Sequence, residues 1–402
     1  MKTTLIQTLQ AFNAGRDPER LAMKYERMRS NAFAFLRGSC HLFYGQLPDA
    51  GVLRKAPLAW VCGDLHLENF GSYKGDNRLS YFDLNDFDEA ALAPASWDLL
   101  RFVTSVKVAA SSLRLSAEDA LTLGDLFLHS YSQALAMGKS RWIERDTAQG
   151  AIGDLLNTLG ERKRSVFLDK RTELKGKQRR FRLDGKKTLP VSDTQRAQVE
   201  QFVNGFAQTQ SRPEFYQVLD VARRIAGTGS LGVERYAVLV AGKGKPDSNY
   251  LLDMKAAQAS SLTAHLKVKQ PKWLSHAHRI VSLQQRAQAV PMAFLQAVQM
   301  GKKPFVLRGL QPSEDRLALD LVQQQGGQLR QVIETMGQML AWSHLRCAGH
   351  AGSAIADELS DWGCQDGWQT KLLRAAQSCT RQVREDWTKY CHAFDDGIFT
   401  VK

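Results

Sequence analysis

Cysteine is sparse and follows no pairing pattern: Cys40, Cys62, Cys347, Cys364, Cys379 and Cys391 never form a C-x-x-C couple. That absence argues against a thiolate zinc site or a disulfide frame, and reduced thiols of a cytoplasmic protein are expected instead. No run of about eighteen apolar residues occurs, so a membrane-spanning helix and a membrane partner are not expected. The N-terminal stretch MKTTLIQTLQAFNAGRDPERL has only brief apolar segments and no small-residue cleavage site, so no secretory signal is expected. No internal repeat or low-complexity linker stands out, and no recognisable DNA- or RNA-reading motif is present. Acidic residues are in deficit: 41 Asp and Glu against 54 Lys and Arg, a formal charge of +13.

What is present is an ordinary globular composition, 44% hydrophobic and 24% charged over 402 residues, long enough for two lobes with their own cores. Much of the positive charge lies in residues 162–187, which hold twelve Lys or Arg. The first expectation for such a run is a solvated loop or helix face, with nucleic acid or another anionic surface as the less favoured partner.

The chemistry-bearing span is residues 63–88, GDLHLENFGSYKGDNRLSYFDLNDFD. Asp64, His66 and Asn69 come first, and a strand-like run then ends in Asp83, Asp86 and Asp88. An Asp five residues before an Asn, with a further carboxylate beyond a strand, suits phosphoryl transfer. Asp64 would orient a hydroxyl and accept its proton, while Asn69 with Asp83 or Asp86 would hold Mg²⁺ on ATP phosphates. His66 joins Asp64 as a catalytic-loop candidate, its ordinary alternative being loop packing. For the Asp residues the plain alternatives are capping or solvated turns; a calcium loop is disfavoured because no glycine sits at its turn position.

A second motif, Gly227-Thr228-Gly229-Ser230-Leu231-Gly232, matches G-x-G-x-x-G. A dinucleotide fold would follow it with a helix, but a β-rich segment, Val233–Val240, follows instead. That context fits a phosphate-covering loop between two strands. A strand ending at Lys255 then supplies a candidate phosphate-pairing lysine one hairpin downstream. The loop comes about 160 residues after Asp64, the reverse of an ordinary kinase order, which circular permutation would reconcile.

The pattern predicts helix over 17–45, a buried strand within Val52–Cys62 and another at 79–82. Helix is expected over 97–136, with Ser116 and Asp119 as a capping box. Further helix is expected near 193–209, three strands across 223–255, helix over 276–299, a strand at 304–310 and helices from 328 onward. The expected architecture is α+β and two-lobed. Residues 1–215 and 313–402 would form a larger helical lobe around a small antiparallel β-rich lobe at 216–312. Residues 276–299 contain no acidic residue, so Lys255 lacks the usual helical Glu partner; Gln285 or an acid from elsewhere would replace it.

RMRSNAFAFLRG (27–38), CGDLHLENFG (62–71), FDLNDFDEA (82–90), PASWDLLRF (94–102), GTGSLG (227–232), NYLLDMKAA (249–257) and PFVLRGL (304–310) together resemble the bacterial domain-of-unknown-function family 2252. Its motifs are similar to a circularly permuted protein-kinase-like fold, nearest in the D-x-H-x-x-N loop to aminoglycoside and choline kinases. The resemblance implies Asp64 as catalytic Asp, Asn69 as metal ligand and Lys255 as the ATP lysine. Cys62 departs from the His usual there. The expected function is ATP- and Mg-dependent phosphotransfer to a small-molecule or protein hydroxyl. Nucleotidyl (AMP) transfer, or a non-catalytic nucleotide- or nucleic-acid-binding pseudokinase, stand as alternatives. Arg37 and Arg308 are candidates for phosphate contact or for structural ion pairs.

Overall fold

The computed structural model describes residues 4–311, 315–325 and 327–400. The fold is α+β. Its main sheet has six antiparallel strands in the spatial order Gln296–Met300, Lys303–Gly309, Tyr250–Ala256, Arg235–Val240, Val218–Arg224 and Thr188–Leu189. One face packs under helix Asp193–Ala207 through Val199, Val203, Tyr236, Val238 and Phe305. The other face is covered from the basic segment, whose Leu168 and Phe181 lie against Ala222, Ala237 and Leu239. The body of this sheet therefore begins near Thr188 rather than at 216, because residues 188–207 pair with it or pack on it.

The helical body is built around Ser96–Ala109, in which every residue except Lys107 is buried. Helices Ala117–Ala136 and Gln328–Arg346 cross closely, and a Cβ on Gly337 would lie 2.5 Å from the Phe127 carbonyl oxygen, so only glycine permits the approach. Ser116 and Asp119 form the expected capping box. Two short antiparallel pairings, Leu58–Val61 with Ala91–Pro94 and Phe70–Lys74 with Ser80–Leu84, frame the acidic loop.

Two expectations need correction. The 17–45 helix is three helices, Pro18–Ser30, Ala32–Gly38 and Cys40–Gly45, interrupted where Asn31 is extended and caps the next helix. The 276–299 helix stops at Ala287, before Pro291, and Gln296–Met300 is a strand paired to Lys303–Gly309 across a turn with Gly301 at φ 59°. Among the described residues no helix is long and apolar enough to cross a membrane.

Candidate functional site

The acidic loop leaves strand Leu58–Val61 through Gly63, whose φ of 85° and close approach to Glu89 exclude a side chain. Asp98, fully buried in the first turn of helix Ser96–Ala109, accepts the N–H groups of Cys62 at 2.8 Å and Gly63 at 2.9 Å. His344, itself bonded to Tyr131 at 2.8 Å, stands 3.7 Å behind Asp98. These contacts fix the direction in which Asp64 leaves the loop.

The Asp64 carboxylate faces a cavity of about 280 Å³ and is held by the Arg101 Nε at 2.8 Å. Burial pushes its pKa above the usual carboxylate range, against the pull of Arg101. Asn69 donates its side-chain amide to the Asp64 carbonyl, which leaves the amide oxygen as its free donor atom toward a cation. Its own carbonyl accepts the N–H of Asn85 at 3.1 Å, tying the acidic loop to the segment that carries Asp86. Asn69 and Asp86 line the same cavity. Among the described residues no group of three or more His, Cys, Asp or Glu forms a ready cage. An oxygen-only pair completed by phosphate and water suits Mg²⁺ rather than zinc.

Asp83 is a correction. It lies outside the cavity, paired with Arg346 at 3.0 Å and accepting the N–H of Ala289 at 3.1 Å. Strand alternation explains this: Asp83 sits in Ser80–Leu84 and points into the helical body, whereas Asp86 lies past the strand end. His66 lines the cavity but is a packed, neutral imidazole. Its Nδ1 accepts the Glu68 N–H at 3.1 Å, its ring meets Phe33 edge-on, and burial pushes its pKa well below the usual value.

Lys255 reaches this cavity from the main sheet. Its partner is Asp88, not Gln285, which is turned toward the Leu295 carbonyl. Burial raises the Asp88 carboxyl, but Lys255 outweighs it and holds the group below the usual range.

Gly227, Thr228, Gly229 and Ser230 also line the cavity. Their loop hangs from the N-terminal helices by its carbonyls. Arg27 donates to Gly227 at 3.1 Å, Arg16 to Gly229 at 2.7 Å and Leu231 at 2.9 Å, and Lys24 to Gly229 at 3.1 Å. A trans peptide points its C=O and following N–H in opposite directions. The N–H groups of Thr228 and Ser230 therefore point away from the side chains that hold the preceding carbonyls. Gly232 is a second correction: it closes the loop at φ 83° against Arg16 and accepts the Asp17 N–H at 2.8 Å, outside the cavity wall.

Arg37 and Arg308 each make an ion pair and each border a cavity. Arg37 lines the cavity and pairs with Glu68 at 2.7 Å; Arg308 lines an adjoining cleft and contacts Asp253 at 3.3 Å. The basic segment is not merely a solvated face: Arg179 is buried between Asp169 and Asp247, while Lys186 and Lys187 line that cleft. Sequence reasoning missed Arg16, Lys24, Arg27 and Arg101. Asp98 carried a usable signal, since it lies in PASWDLLRF at the buried start of a helix.

No curated protein and no solved structure matches the chain. A family model matches residues 16–393, a span that holds every residue of the cavity named above. The chain belongs to the family described as "Uncharacterized protein conserved in bacteria (DUF2252)".

Proposed function

We propose that this protein is an ATP- and Mg-dependent phosphotransferase of circularly permuted, kinase-like architecture, acting on a hydroxyl acceptor. The observation that carries this reading is the meeting of Lys255 with Asp64, Asn69 and Asp86 in one cavity beneath Gly227–Ser230. The strand order supports it. A glycine loop joins the first two strands of the meander Val218–Arg224, Arg235–Val240 and Tyr250–Ala256, and the lysine lies on the third, as in protein kinases.

In this reading Asp64 orients the acceptor hydroxyl and takes its proton, helped by a carboxyl pKa raised toward the working range. Asn69 and Asp86 would hold Mg²⁺, which when bound neutralises charge on the phosphates. Lys255, aligned by Asp88, pairs with phosphate oxygens, and the loop with the N–H groups of Thr228 and Ser230 covers them.

The test is transfer of label from ATP to a panel of metabolites and proteins. Asp64→Asn is expected to lower turnover about 10²–10⁴-fold while leaving ATP affinity within about twofold. Turnover equal to the parent protein would sink the assignment.

A further inference from the structure

Behind Lys255 the cleft opens into a second compartment of about 420 Å³, which shares Asp86, Gly227 and Lys255 with the first. Arg224, Arg235 and Arg308 line it, and all three converge on the single, fully buried carboxylate of Asp253 at 2.8, 2.6 and 3.3 Å. Asp86 and Asp315 also line the compartment, but with Asp253 they are outnumbered by Arg224, Arg235, Arg308, Lys255, Lys186, Lys187 and Arg27, so the compartment carries surplus positive charge. Arg224 agrees with this count. Its Nη1 is buried at ion-pair distance from Asp253 without hydrogen-bond geometry, and burial with Arg235 and Arg308 beside it lowers its pKa to about 9. The exposed Lys186 and Lys187 of the basic segment add charge at the rim, as does Arg27.

We infer that this compartment binds a phosphate chain, with the guanidiniums as fixed forks at its floor and Lys186 and Lys187 as the outer contacts. The inference rests on the proposed phosphotransfer site for the source of the chain, of which there are two. If the chain is the terminal phosphates of the nucleotide itself, the acceptor oxygen bonds to the α-phosphorus. The bond to the α–β bridging oxygen then breaks, pyrophosphate leaves with the electron pair, and Asp64 takes the hydroxyl proton. If the chain belongs to a phosphorylated acceptor, the acceptor oxygen bonds to the γ-phosphorus, the bond to the β–γ bridging oxygen breaks and ADP leaves with the electron pair, with the same proton transfer.

The experiment is calorimetric titration of the full chain with inorganic triphosphate in magnesium-free buffer. The parent protein is expected to bind, more weakly as salt rises, and Lys186→Gln with Lys187→Gln is expected to weaken binding about tenfold without lowering Tm. Arg308→Gln should weaken it further. Absence of binding, or binding unchanged in both variants, overturns the inference. If Asp64→Asn still abolishes turnover in that case, the phosphotransfer reading stands alone. Activity in Asp64→Asn would instead remove that reading and leave triphosphate binding to be judged by itself. Product label from the α-phosphate with pyrophosphate release traces the chain to the nucleotide and makes the reaction nucleotidyl rather than phosphoryl transfer, whereas γ-label with ADP release traces it to the acceptor. In both arms the double lysine variant should slow the reaction at fixed ATP, and an unchanged rate counts against the site.

Discussion

The imidazole of His41 stacks on Phe12 with ring centres 3.7 Å apart, and neither ring nitrogen has a hydrogen-bond partner. Burial, with Lys24 and Arg16 next in effect, lowers its pKa to about 3. The unfolded chain takes up this proton near pH 6.5, whereas the folded chain resists it until about pH 3. Stability is therefore lost progressively as pH falls from about 6.5 toward 3, and His66 acts in the same direction. His41→Phe, which keeps the stack, is expected to flatten the acid limb of a plot of urea midpoint against pH. An unaltered limb would refute this account. At Lys255 the concern is a buried pair: Asp88→Asn removes its partner, and an increase of about tenfold in KM for ATP is expected, with a smaller change in kcat. Lys255 was legible because it follows the glycine loop by one hairpin. Asp88 as its partner was not, since a contact across 167 residues leaves no spacing in the chain. Asp83 and Asp86 were indistinguishable by count and are separated only by where the strand ends, Asp83 facing the helical body from within it and Asp86 lying beyond it.

Helix Ser96–Ala109 and the acidic loop act as one unit because Asp98 takes two loop N–H groups in a buried setting. Asp98→Asn replaces a charged acceptor with a weaker one, and a loss of about 2–4 kcal/mol is expected from denaturant titration. The glycine loop depends equally on helix Pro18–Ser30. A Cβ at Gly229 would lie 2.9 Å from the Arg37 carbonyl oxygen, so Gly229→Ala is expected to displace the loop and raise KM for ATP more than it lowers kcat. Equal effects on both constants would point to a general loss of folded protein instead. Most element types were readable from periodicity, including the capping box at Ser116. The strand Gln296–Met300 was not, because its short apolar run fits either a helix or a strand until its partner Lys303–Gly309 is known.

Over the whole molecule, the N-terminal helices join distant parts. Tyr390 donates to the Tyr25 carbonyl at 2.7 Å and Trp387 to that of Met28 at 3.1 Å, while the same helix carries Lys24 and Arg27 toward the glycine loop. Removing residues 1–30 is expected to lower Tm by more than about 10 °C and to abolish any rise in Tm on adding ATP. Retention of that rise would show that the loop stands without its support. The α+β class was legible from the motif order and turn residues, but the start of the sheet body at Thr188 was not. The charge of residues 162–187 concealed Leu168 and Phe181, which pack against the sheet. Three cations occupying the carbonyls of residues 227–231 have one more consequence. Phosphate donors elsewhere often lift a glycine flap to admit their ligand, but here that would mean breaking several charged contacts together. The loop is therefore expected to stay in place when the cleft fills, so that a ligand fits itself to the jaw rather than the jaw to a ligand.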